Sequence, residues 1–473
     1  MRGTRVMIQK GTLFEESEVT LAQITIFISV QLLLLFITAS LDIAQYLPLV
    51  IVAILYFFWS INRPQIWIFT VILLYILILD RSEGVTIWEA LYAVYFFGVI
   101  SLWFIQKLVN NEKIVYNTAD QLLLVFFALC ILSIVPGILG QASVIKWFRE
   151  LMIFSAYLFY FPAREAIFRY KAVPWIGIGF LILATYIAVS NFIKYKTAAS
   201  SAVYLWQLIS GRQTANEPLF LTAILIGICL YLFLNSHVFQ MFLLAVISFF
   251  TIALAVTFSR GYWFGLFVGI ATVILLLKGK QRRKFILTMS ILSTLALLVL
   301  FIFFSATGLA ILQSMGQRFI SGSLSAGQDI SLQSRLSESN AVIDAIKINP
   351  ILGYGLGVFF KFPDPILKIT SESWYIHNGY LFLWFKLGFF GMLSFLLVYM
   401  LMIRDAYKLY IGQSHTFESH LLLGISAVLV SMLIISLTSP QFITRDSILI
   451  ISLGWAIIGA FRLKNVTEIQ SAT

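Results

Sequence analysis

About fourteen stretches of this chain are apolar enough, for long enough, to cross a lipid bilayer, and that property restricts the fold more than any other. A helix through the hydrocarbon core needs roughly 20 mostly apolar residues. Such runs lie near 22–40, 45–61, 66–79, 87–106, 121–140, 146–163, 173–193, 217–235, 238–257, 261–277, 285–305, 376–402, 420–438 and 447–462. The third is short for a full crossing. The chain is 60% hydrophobic and 11% charged, with a mean hydropathy of +0.95. A soluble domain is nearer half apolar and a quarter charged. The expected fold is an all-α integral membrane protein, a polytopic helical bundle of about 12–14 transmembrane helices with one large loop on the outer face.

The formal net charge of +11 does not call for nucleic acid. Basic residues collect in cytoplasmic loops and set membrane topology. The strongest marker is "KGKQRRK", 278–284, with five basic residues in seven. If that turn is cytoplasmic, so are "QKLVNNEK" (106–113), "REAIFRYK" (164–171), "RDAYK" (404–408), "FRLK" (461–464) and the N-terminus, so these separate signals agree. The N-terminus carries Arg2, Arg5 and Lys10 without a cleavable leader pattern, so the first span reads as a retained anchor. The outer face then receives 194–216, Ser259-Arg260, the long segment 306–375 and "SPQFITRD" (439–446). Cys130 and Cys229 sit in separate apolar runs, which argues against a disulfide framework or a cysteine metal site.

Within 306–375, "RLSESNAVIDAIKI" (335–348) reads as a short amphipathic helix that Asn349-Pro350 stops. Gly353, Gly355 and Gly357 follow in "ILGYGLGVFF" and permit tight turns and close approach of the backbone to a ligand. This is no dinucleotide motif, because it follows a helix and no βαβ unit surrounds it.

Few polar residues need explaining in such a chain. Of the four histidines, His237, His415 and His420 map to cytoplasmic links, and His377 alone maps outward, at the start of a span with Asn378 beside it. Arg260, in "TFSRGYWFG", stands between two apolar spans on the same face, where it must reach water or an anion. Arg335 begins the loop helix there, and Arg212, in "SGRQTANEP", is also external. Arg149 is placed to face the same cavity, while Lys146 and Glu150 have the i, i+4 spacing of a local pair. Glu89 reads as a satisfied interior polar group. A guanidinium matches phosphate oxygens through a bidentate fork that never loses its charge. Outward arginines with an outward histidine therefore point to a phosphate-bearing lipid with a proton-transfer group beside it. No cluster has metal-site spacing, so neither a metal nor another cofactor is expected.

The ordered set "SRGYWFGLFVGI" (259–270), "RLSESNAVIDAIKINPILGYGLGVF" (335–359) and "HNGYLFLWFKLGFFGML" (377–393) resembles the O-antigen ligase-like superfamily, over roughly 238–402. That superfamily includes lipopolysaccharide O-antigen ligases and polysaccharide polymerases. The resemblance implies a glycosyltransferase working at the outer, periplasmic face of the bacterial inner membrane; the basic loops put both termini in the cytoplasm. The donor implied is a glycan on undecaprenyl diphosphate, and the acceptor a hydroxyl of lipid A–core or of another glycan. The family's essential histidine corresponds to His377 and its diphosphate-binding arginines to Arg260 and Arg335. Arg212, Arg149, Asn378, Gly353, Gly355 and Gly357 are further candidates for substrate contact. Lys386 departs from the pattern, since many relatives carry an acidic residue there; a tuning change or a snorkelling lysine are the two readings. The implied division is 1–237 as N-terminal helices, 238–402 as the ligase-like core with loop 306–375, and 403–473 as C-terminal helices. The competing class is a lipid-linked sugar transporter, which would show related halves and polar groups at mid-membrane. Here no half-repeat is evident, and the polar groups gather at one face.

Overall fold

The structure, a computed structural model, describes residues 47–61, 63–78, 86–201, 207, 211–212, 216–277, 279–303, 316, 330–364, 368–412 and 416–472. In chain order the helices are α1 (Leu47–Ile61), α2 (Pro64–Leu74, extended by a 3-10 turn Tyr75–Ile78), α3 (Ile87–Val109), α4 (Thr118–Leu132), α5 (Ile134–Leu139), α6 (Val144–Ser155), α7 (Tyr160–Tyr170) and α8 (Val173–Ser200). They continue with α9 (Glu217–Phe233), α10 (His237–Val256), α11 (Arg260–Leu276), α12 (Gly279–Phe303) and α13 (Ile330–Ile348). A hairpin, β1 (Phe360–Asp364) and β2 (Ile369–Ser373), precedes α14 (Gly379–Gly412), α15 (Phe417–Ile435) and α16 (Arg445–Ala472). Among the described residues, 8 helices are long and apolar enough to cross a membrane. The apolar helices Pro64–Ile78, Glu217–Phe233 and Arg260–Leu276 are shorter. The span expected at 22–40 lies outside the described residues.

The chain forms two compact units, one comprising residues up to Val99 with Tyr170–Gly179, the other Ile100–Arg169 with Phe180–Thr473. In the first, Ser60 and Tyr95 share a buried hydroxyl hydrogen bond of 2.8 Å between α1 and α3. Glu89, expected as an interior polar group, instead joins Thr86 in a reciprocal cap at the start of α3.

Every candidate site residue belongs to the second unit. There α15 packs on α9, α11 and α14, and α14 also lies along α4. Trp455 of α16 stacks on Tyr157 with centroids 5.4 Å apart, both fully buried. The charges of "QKLVNNEK" and "REAIFRYK", read as topology markers, are mostly paired: Arg164 with Asp120 at 2.6 Å and Lys107 with Glu165 at 2.8 Å.

The run read as one span at 376–402 is a broken helix. Gly388 in α14 has φ 67° and ψ −174°, outside the helical region. A break at membrane depth frees backbone groups, each costing several kcal/mol if left unsatisfied in lipid. The loop after α13 satisfies them. Tyr354 N donates to Phe385 O at 2.8 Å, Gly355 N to Lys386 O at 2.9 Å, and Phe389 N to Pro350 O at 3.0 Å. Gly355 has φ +88°, and a Cβ there would strike the backbone of Gly137; one on Gly357 would strike that of Trp147. Gly353 meets the backbone around Gly388 in the same way. The close approach that Gly353, Gly355 and Gly357 allow here is backbone to backbone.

Candidate functional site

α13 starts at Ile330, five residues before the expected start at Arg335, and stops at Ile348 as Asn349-Pro350 requires. Its buried stripe includes Glu338, Val342 and Ile346. Arg335 lies one turn before Glu338 on neighbouring positions of the same face. The hairpin, which the sequence reading did not foresee, covers the helix; Ser337 Oγ donates to Pro363 O at 2.6 Å.

The short connection after α15 gathers the other pieces. Ser436 O accepts the backbone N–H of Gly379 at 2.7 Å, which seats the start of α14 and the preceding His377-Asn378. Thr438 O accepts from Arg335 Nη1 at 3.1 Å. A Cβ on Gly261 would lie 3.0 Å from Thr438 Oγ1, so the glycine lets the first turn of α11, with Arg260, come against the same connection. Two further bonds hold this corner: Tyr262 donates to Gln441 Oε1 at 2.9 Å, and Ser259 Oγ to Glu217 Oε1 at 2.7 Å.

Arg212, Arg260 and Arg335 therefore share one neighbourhood. Burial pulls the Arg335 guanidinium below its ordinary value; Tyr375 and Glu338 oppose this, while Arg260 and Arg212 push further down. Arg212 is lowered likewise, by burial first, against the pull of Glu217 and with Arg260 adding to the drop. An arginine stays charged through such changes. Three half-buried cations thus stand near one another, with Glu217 and Glu338 offsetting part of their charge.

His377 stands beside them. Its backbone N–H donates to Glu338 Oε1 at 2.6 Å, and its Nδ1 lies 2.8 Å from Glu338 Oε2. The imidazole side chain is 39% exposed and the carboxylate 4%. Tyr375 sets its ring edge-on to the imidazole, centroids 5.1 Å apart. Glu338 was missed in the sequence. Its only signal was a carboxylate one turn after Arg335, and nothing in a linear reading connects it to His377.

The remaining candidates take other roles. Asn378 caps α14: its Oδ1 accepts from Tyr380 N at 3.0 Å and Leu381 N at 3.1 Å. Arg149 is exposed on α6, and no described contact joins it to the arginine group. The expected Lys146–Glu150 pair does not form. Lys146 lies over the Phe359 ring at 4.1 Å, and Glu150 turns inward to Lys386, Nζ to Oε1 2.8 Å. Lys386 is fully buried rather than snorkelling, and it also donates to Val358 O at 2.6 Å, while Glu150 Oε2 accepts Gly357 N at 2.9 Å. This pair clamps the glycine loop between α6 and the broken helix.

No curated protein matches the chain. Residues 243–396 match the family described as O-Antigen ligase, a span that holds Arg260, Arg335, Glu338, His377 and Lys386 but not Arg212. Over residues 243–396 the chain is therefore similar to the O-antigen ligase family.

Proposed function

We propose that the protein is an inner-membrane glycosyltransferase of O-antigen ligase type, moving a glycan from undecaprenyl diphosphate to a hydroxyl of lipid A–core on the periplasmic side. The observation that supports this best is the gathering of Arg212, Arg260 and Arg335 beside the imidazole of His377. A diphosphate presents several oxygens over a short length, and guanidinium forks fit them. The 238–402 core supplies the chemistry, flanked by helices of 1–237 and 403–473, with both termini cytoplasmic.

In this reading the arginines hold the diphosphate and His377, neutral, accepts the proton of the acceptor hydroxyl. The acceptor oxygen forms a bond to the anomeric carbon from the face opposite the diphosphate. The bond from that carbon to the phosphate oxygen breaks, and its electron pair leaves with the diphosphate lipid. Charge developing there meets fixed guanidiniums, which lowers the barrier. The anomeric configuration inverts. The donor already carries its leaving group, so the mechanism draws on neither a nucleotide sugar nor a metal.

Replacement of Arg260 or Arg335 by lysine keeps the charge and removes the fork. Each is expected to cost about 10²-fold in transfer from a lipid-linked oligosaccharide in proteoliposomes. Unchanged rates in both would sink the diphosphate assignment. A polysaccharide polymerase would use the same chemistry, and a deletion strain separates the two. The ligase reading expects long chains stranded on the carrier lipid; single repeats on the core would overturn it.

A further inference from the structure

We propose that Glu338 is a positioning residue that fixes the tautomer of His377, so that Nε2 presents the lone pair that takes the acceptor's proton. This rests on the transfer reading above and deepens it.

One buried carboxylate grips the histidine twice, through the backbone N–H at 2.6 Å and through Nδ1 at 2.8 Å. An ionised carboxylate can only accept hydrogen bonds. The ring nitrogen facing it therefore carries the hydrogen, and the other nitrogen carries the lone pair. The double grip also fixes the ring relative to its own backbone, with the Tyr375 ring against it at 5.1 Å. The groups that face this dyad are Arg335, one turn away on α13, and Tyr375 before α14; Arg260 and Arg212 act on Arg335 from α11 and the segment before α9. A positive charge arriving on the imidazole would meet that arginine group. The Glu338 carboxylate lies 2.8 Å from Nδ1, so the charge that the acceptor's proton brings to the ring arises beside a negative group.

Glu338→Gln separates positioning from scaffolding. The amide oxygen can still accept the His377 backbone N–H, so the loop stays clamped. The amide nitrogen then faces Nδ1 as a donor, and the ring must shift its hydrogen to Nε2, the wrong nitrogen for a base. In proteoliposomes carrying an undecaprenyl-diphosphate-linked oligosaccharide, Glu338→Gln is expected to keep the wild-type melting temperature and donor KM. Its kcat is expected to fall about 10²–10⁴-fold. Glu338→Asp, with its carboxylate retained, is expected to recover part of that loss. In the nitrogen spectrum of isotope-labelled histidine, the protonated nitrogen of His377 is expected to move from Nδ1 in the wild type to Nε2 in Glu338→Gln. A wild-type kcat in Glu338→Gln, or no change of tautomer, would overturn the inference. A fully active His377→Ala would defeat the transfer reading itself, whereas an inactive His377→Ala with an active Glu338→Gln would defeat only the role of Glu338.

Discussion

The His377→Ala variant is expected to fold and bind the lipid-linked donor, yet transfer glycan about 10²–10⁴-fold more slowly, the usual worth of a positioned general base. The side chain is 39% exposed and, among the described residues, its polar contact is with Glu338, so its loss opens no core cavity. The start of α14 stays seated through Gly379 on Ser436 and through the Asn378 cap. The measurement is single-turnover transfer alongside donor binding to the arginine group. Normal turnover by a variant with an unchanged melting curve would remove His377 from the chemistry.

Lys386→Met is expected to destabilise the fold by about 3–5 kcal/mol, because it leaves the Glu150 carboxylate buried without its cation. Val358 O loses a donor at the same time. The glycine loop is then held less firmly against the break at Gly388, where Phe385 O and Lys386 O depend on it. Paired with Glu150→Gln, the same substitution is expected to recover more than half of the loss, since no charge is then stranded and Gly357 N keeps an acceptor. Unfolding followed by heat or denaturant in detergent checks both. A Lys386→Met protein as stable as the wild type would show that the pair is not what holds the loop.

Much of this architecture could be read from the sequence. The described parts of thirteen of the fourteen apolar runs are mostly helical, because apolar length at 1.5 Å per residue is a local property that packing seldom overrides. The stop at Asn349-Pro350 was legible for the same reason, since proline acts on its immediate neighbours. Arg260, Arg335 and His377 stood out as costly residues at a membrane boundary, and Arg212 joined them. Glu150 was misread because helical spacing favoured Lys146, while its partner lies 236 residues away at Lys386. The backbone partners of the glycine run were not legible, because a positive-φ glycine looks the same in sequence whatever comes close to it.

What the sequence determined by itself is therefore which segments are long and apolar enough to cross a membrane, and which polar groups stand at the ends of such segments. Only the tertiary structure decided the partners. It put Glu338 on His377, Lys386 on Glu150, the glycine loop into the broken helix and Thr438 between Arg335 and Gly261. The physical reason is that burial preference is summed residue by residue along the chain. A hydrogen bond or ion pair depends instead on the meeting of two groups whose separation in sequence carries no information about their separation in space.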